Sequence, residues 1–273
     1  MLFRSLEIID EEVDITDREA EDYDVKCGEI EFDHVYFRYR KDAPEDVLTD
    51  ISLTISAGST FGIIGQTGSA KSTLIQLIPR LYDATRGEVR IDGIPVRKYP
   101  MEHLRDAIAV VLQKNTLFSG TLLENLRWGK EDATMEEIKK ACRIACADEF
   151  IDRLADGYET EMGQGGVNVS GGQKQRICIA RAILKQPKVL ILDDSTSAVD
   201  TATEARIRTM LKEELPEMTK IIIAQRISSV RHADQILILD DGRVSDIGTH
   251  EELLARNKIY QEIYESQKEG AEL

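Results

Sequence analysis

The sequence predicts an α/β fold: a mixed β lobe, a largely parallel sheet at the core, and a helical region. Three observations carry that prediction. Helices alternate with short, wholly apolar strands, which favours a parallel sheet buried on both faces. Other segments alternate apolar and polar residues, as half-exposed strands do. A glycine-rich turn joins one apolar strand directly to a helix.

At 273 residues the chain can form one large α/β domain, or a large lobe with a smaller one. Its 42% hydrophobic and 31% charged residues fit a globular protein rather than a disordered one. The net charge of −15 comes with no basic stripe, which argues against a nucleic-acid partner. Any bound polyanion must therefore be held by a local site. No apolar run approaches the ~20 residues that span a bilayer, and Met1 to Asp10 does not resemble a signal peptide. The chain is accordingly expected to be soluble and cytoplasmic. Cys27, Cys142, Cys146 and Cys178 do not form a disulfide framework at this length. Cys142 and Cys146 share a helical face, but no His or Cys nearby in sequence completes a metal site, so reduced thiols are expected.

Residues 1–27 are acidic and weakly patterned, as a linker with a short helix over Phe3 to Ile9 or as a disordered tail. Ile30, Phe32 and Val35, then Ile51, Leu53 and Ile55, predict strands. Ser59 to Ile64 is a short apolar strand, followed by the glycine-rich turn and a helix over Lys71 to Leu81. Glu88 to Ile91 with Asp92-Gly93 predicts a hairpin. Residues 121–160 are mostly helical. Thr134 with Glu137 forms a capping box, and Ile138, Ala141, Cys142 and Ala145 share one face. Gly163 to Gly172 leads into a helix that ends before Pro187. Val189 to Leu192, Ile221 to Ala224 and Ile236 to Leu239 predict buried strands, the last closed by an Asp241-Gly242 turn. A final helix starts near His250 and frays over Glu269 to Leu273.

Gly65-Gln66-Thr67-Gly68-Ser69-Ala70-Lys71-Ser72-Thr73 follows a strand and opens a helix, the setting a phosphate-binding loop requires. Backbone N–H groups and the positive helix end suit a β-phosphate. Lys71 would bridge β- and γ-phosphates, and the Ser72 hydroxyl would ligate Mg²⁺. The strict pattern has Gly where this chain has Ala70, whose methyl crowds the backbone near the phosphates. The competing reading is a glycine-rich turn beside a surface Lys. Val189 to Asp193 is an apolar strand ending in a carboxylate, which places Asp193 beside the loop to hold a Mg²⁺-bound water. The competing reading is a strand-to-helix turn with an Asp N-cap. Val169-Ser170-Gly171-Gly172-Gln173 lies between these two motifs and opens another helix.

In this order the motifs resemble those of ABC ATPases over Glu29 to Gln267, and Ser170 to Gln173 resembles the signature that separates that family from other P-loop proteins. The resemblance implies a P-loop NTPase with an ABC ATPase fold and a RecA-like core. It divides the chain into a linker over 1–27, missing its transmembrane domain, and an ATPase domain over 28–273, with a helical subdomain at about 115–185. It implies ATP and Mg²⁺ as ligands, with Ser72, Gln113 and Asp193 on the metal. Tyr39 resembles the aromatic that stacks on adenine, and Gln113 the lid glutamine. Ser170, Gly171, Gly172 and Gln173 would face ATP held by a second ABC ATPase domain. Ser197 and Asp200 resemble the loop that touches that partner. Leu117 to Thr121 with Glu124-Asn125, and Thr160 to Gly165, resemble two exporter segments, which implies a place at the cytoplasmic face of a membrane.

Two catalytic positions depart from the family pattern. Asp194 stands where the family has Glu as general base, one methylene shorter, and Gln225 stands where it has His. A misplacement of about 1 Å can cost on the order of 100-fold, and an amide carries no proton near neutral pH. The resemblance therefore implies an exporter motor whose own site is slow and whose signature serves a different subunit. A slow homodimer, a non-hydrolytic regulatory module and a soluble ABC ATPase acting on nucleic acid are the alternatives.

Overall fold

Alternation along the first two strands builds an antiparallel sheet, but not strictly. The computed structural model describes residues 13–194 and 198–269. In β1 (Ile30–Phe37) the buried residues are Ile30, Phe32, Val35 and Phe37, and in β2 (Leu48–Ile55) they are Leu48, Ile51, Leu53 and Ile55. Phe32 and Val35 are three apart, and His34 (φ 48°) absorbs the extra residue as a bulge. A second bulge follows on β2 at Asp50 (φ 54°). β3 (Thr60–Ile64) belongs to another sheet, described below. β4 (Arg86–Ile91) and β5 (Ile94–Pro95) extend the first sheet to the order β2-β1-β4-β5. The expected Asp92-Gly93 hairpin is present, with φ of 51° and 76° and Ile91 paired to Ile94. The Asp92 carboxylate also accepts from the backbone N–H groups of Lys26, Cys27, Gly28 and Glu29. Upstream, Glu21 pairs with Lys98 and Tyr23 packs edge-on against Tyr99, so residues from Asp17 onward lie along this lobe. The helix expected at Phe3 to Ile9 falls outside the described residues.

The second sheet forms from β6 (Ile108–Val111), β9 (Val189–Asp193), β10 (Thr219–Ile223), β11 (Gln235–Asp240), β12 (Arg243–Gly248) and β3. Its order is β12-β11-β3-β10-β9-β6, parallel except at β12. It separates two apolar cores. Val189 and Ile191 face the β lobe, whereas Leu190 and Leu192 face the helices. Burial on both faces is why these strands read as continuous apolar runs.

Among the described residues the α-helices are α1 (Lys71–Gln76), α2 (Met101–Asp106), α3 (Leu122–Arg127), α4 (Met135–Ile144), α5 (Asp148–Ile151), α6 (Gly171–Leu184), α7 (Thr201–Glu214), α8 (Ile227–Val230), α9 (His250–Arg256) and α10 (Lys258–Glu269). Two differ from expectation. α1 stops at Gln76 rather than Leu81. Leu77 and Ile78 donate to carbonyls three residues back, Pro79 has no N–H to extend the ladder, and Arg80 turns to φ 51°. The last helix is two helices. Asn257 leaves helical geometry, and its side-chain oxygen accepts from the Tyr260 N–H at 2.9 Å, so it starts α10 afresh. The Thr134/Glu137 capping box forms as read. β7 (Gly120–Thr121) and β8 (Glu161–Met162) form a small ribbon that the sequence did not signal.

Candidate active site

The turn from Gly65 to Ala70 links β3 to α1. At Gly65 a Cβ would lie 2.2 Å from the Leu239 carbonyl oxygen, so backbone contact demands glycine there. Gly68 (φ 89°) has open space around it. Ala70 takes the left-handed conformation that glycine favours (φ 70°, ψ 21°). Its methyl also rests on the β-lobe core, so the cost of Ala here lies mainly in the backbone. The first turn of α1 carries no acidic residue and no capping side chain, which leaves its N–H end free to meet an anion.

Lys71 Nζ donates to the Gly65 and Gln66 carbonyls, both at 2.8 Å, and approaches Ser69 Oγ at 3.3 Å. Burial holds this ammonium below the ordinary lysine range, partly offset by Asp193 and Asp194. Ser72 Oγ donates to Asp193 Oδ2 at 3.3 Å. Asp194 follows at φ 46°, and one of its oxygens receives two amides, Gln113 Nε2 at 2.9 Å and Gln225 Nε2 at 3.2 Å. Burial raises the pKa of Asp193, and burial followed by the Asp193 charge raises that of Asp194. With folded pKa values above the unfolded ones, the pair by itself favours the fold at low pH and loses that contribution as pH rises through the folded values. A cation in the cleft would reverse this.

These residues line one cleft of about 350 Å³, from Thr67 through Thr73, with Gln113, Asp193, Asp194 and Gln225. Val47, Ile223 and Ala224 complete its wall; the sequence marked Ile223 and Ala224 only as part of a buried strand, and Val47 not at all. Gly65 and Gln66 contribute their carbonyls to Lys71 rather than wall. Tyr39 is exposed beside the loop, its hydroxyl 2.9 Å from Thr73 Oγ1 and its ring edge-on to Tyr82. The donors suit a nucleotide carrying its own metal. Mg²⁺ is usually held by one or two carboxylates plus substrate phosphates, and among the described residues no cluster of His, Cys, Asp or Glu forms a metal cage.

Ser170 to Gln173 take no part in this cleft. Ser170 N-caps α6 through a capping box with Gln173. Gly172 lies against the next motif, where a Cβ would be 2.7 Å from the Ala198 carbonyl oxygen. Gln175, which the sequence reading missed, is buried and accepts from the Ala198 N–H at 3.1 Å. Asp200 N-caps α7 by accepting from the Thr203 N–H, which holds its carboxyl below the usual range. Ser197 lies outside the described residues.

The two remaining motifs meet each other. β7 and β8 pair Gly120 with Met162 and Thr121 with Glu161, and the Gly165 N–H donates to Leu117 O. Buried Asn125 holds this corner through Phe118 N, Phe118 O and Thr121 O. Beside it a groove of about 430 Å³ exposes Leu112, Phe118 and Trp128, the two rings stacked with centroids 4.5 Å apart.

A strand, a phosphate-type loop and a carboxylate strand on a parallel sheet define a nucleotide-binding α/β ATPase domain. The ABC transporter family model matches residues 48–197, and the chain belongs to that family, with its ATP-binding fold. It is 49% identical over 247 residues to the uncharacterized ABC transporter ATP-binding protein YfiB of Bacillus subtilis (strain 168), covering 90% of this chain and 43% of that one. It is 44% identical over 243 residues to the ATP-dependent lipid A-core flippase of Legionella pneumophila (strain Paris), covering 89% of this chain and 41% of the flippase. A solved structure of a bacterial Atm1-family ABC exporter with ATP bound superposes with a TM-score of 0.92 at 36% identity, over 97% of this chain and 47% of that one. The chain thus spans less than half the length of these relatives. Among its described residues no helix is long and apolar enough to cross a membrane.

Proposed function

We propose that this domain is the ATP-driven motor of a membrane exporter and that its own cleft holds Mg-ATP but hydrolyses it slowly. Residues 1–27 would join it to a transmembrane domain at the cytoplasmic face, and 28–273 would form the motor, with a helical subdomain near 115–185. The exposed Phe118–Trp128 groove beside the β7–β8 corner supports docking of that membrane domain. Large exposed apolar patches commonly mark such surfaces.

Lys71 would leave the Gly65 and Gln66 carbonyls for the β- and γ-phosphate oxygens, and the first turn of α1 would donate its N–H groups. Ser72, Asp193 and Gln113 would hold Mg²⁺. Bound there, Mg²⁺ offsets charge that develops on the phosphate oxygens. Asp194 would take the proton of the attacking water, and Tyr39 would stack on the adenine. Ser170 to Gln173, with the 197–200 loop, would complete a site on a second, different ABC ATPase subunit.

The observation that carries the slow-site reading is the Asp194 carboxylate, shorter than Glu and engaged by the Gln113 and Gln225 amides. Neither amide relays a proton, so the base must work alone. Nucleotide binding and turnover should be measured for the chain alone and with candidate partner ATPases. The expected outcome is binding with little turnover alone, turnover restored by a partner retaining Glu and His, and a higher rate in the Asp194→Glu, Gln225→His double variant. Ordinary turnover by the unaltered chain alone would refute the slow-site reading.

A further inference from the structure

The segment carrying Gln225 is gripped from behind by the C-terminal helix. Gln267, on α10, donates from Nε2 to the Gln225 carbonyl at 2.7 Å and accepts at Oε1 from the Ile227 N–H at 2.8 Å. One side chain therefore closes both ends of the step between β10 and α8. That step lacks the usual alternative, since Arg226 gives α8 no side-chain cap. Gln267 is itself held by packing. Tyr260 of α10 is fully buried with its hydroxyl 2.8 Å from His250 Nδ1, and Ile263 and Tyr264 rest on the apolar cluster that contains Ile227 and Val230.

From the opposite side of the same segment, Gln225 Nε2 reaches the Asp194 carboxylate. A free peptide step there would let this amide swing, because a shift of about 1 Å suffices to break a catalytic alignment. We propose that Gln267 is a positioning residue, fixing the Gln225 backbone so that its amide faces Asp194 and the terminal phosphate of the nucleotide. The inference rests on the nucleotide reading of the cleft. It adds that the C-terminal helix is mechanically joined to the phosphate-sensing residue.

Two variants separate positioning from plain structural support. Gln267→Leu removes both hydrogen bonds at similar bulk. Gln267→Glu keeps an acceptor for Ile227 but sets an oxygen against the Gln225 carbonyl. Calorimetric titration of the full chain with Mg-ADP and with Mg-AMP-PNP reads the γ-phosphate specifically. Both variants are expected to bind Mg-ADP like the wild type, which also reports folding, and to lose about fivefold in Mg-AMP-PNP affinity, the worth of one net hydrogen bond. Equal effects on both nucleotides, or none on either, would overturn the positioning role while leaving the motor reading intact. A wild-type chain that binds neither nucleotide would overturn the motor reading, and this proposal with it.

Discussion

Ala70 adopts φ 70° at the start of α1, where a methyl-bearing residue pays for a left-handed backbone. That conformation costs an L-residue about 1–2 kcal/mol, and glycine returns roughly 0.4–1 kcal/mol of that through the freedom of the unfolded chain. The backbone term is the larger. Ala70→Gly is therefore expected to raise the melting temperature of the empty domain slightly, by about 1–3 °C at the usual 2–4 °C per kcal/mol. Scanning calorimetry checks this, and a fall would mean that the methyl's packing on the β-lobe core outweighs the strain. Ala70, Asp194 and Gln225 were all visible as departures from a motif. The left-handed turn at Asp194 and the convergence of Gln113 and Gln225 on one oxygen were not, because they depend on how β9 and β10 end side by side.

At the level of elements, the start of α6 is built against Ala198, just ahead of α7. Gly172 lies against the Ala198 backbone and Gln175 accepts from the Ala198 N–H. Gly172→Ala would improve helix propensity by up to about 1 kcal/mol, but the added methyl meets backbone, and overpacking of that kind costs about 1–3 kcal/mol. The overpacking term wins. This variant should melt several degrees lower than Gly171→Ala, whose Cβ meets only the Ala198 methyl at 3.3 Å. Similar melting of the two would show that the close approach at Gly172 is not maintained in solution. Elements with local signals were legible in the sequence: the capping box at Thr134, the hairpin at Asp92-Gly93, and the strand–loop–helix around Lys71. Elements set by distant partners were not. The β7–β8 ribbon pairs two residues with two others about 40 positions away, and Gln267 meets Gln225 across a comparable gap. The break at Asn257 was in principle readable, since Asn is a strong N-cap, but the apolar pattern continued through it.

Across the whole molecule, the parallel sheet divides two apolar cores and gathers the phosphate loop, Asp193, Asp194 and Gln225 at the ends of β3, β9 and β10, where open α/β sheets place their ligands. The Ser170 to Gln173 helix start stands apart from that cleft. The cleft and the Ser170 helix start thus lie at two separate places on one domain. All of it depends on Lys71 and its loop gripping a nucleotide's phosphates. The most direct measurement is calorimetric titration of Mg-ATP into the wild-type chain and into Lys71→Ala. The account predicts binding by the wild type and a loss of about 100-fold in the variant, as expected when a charged phosphate loses its charged donor. A wild type that does not bind, or a variant that binds equally well, would contradict it.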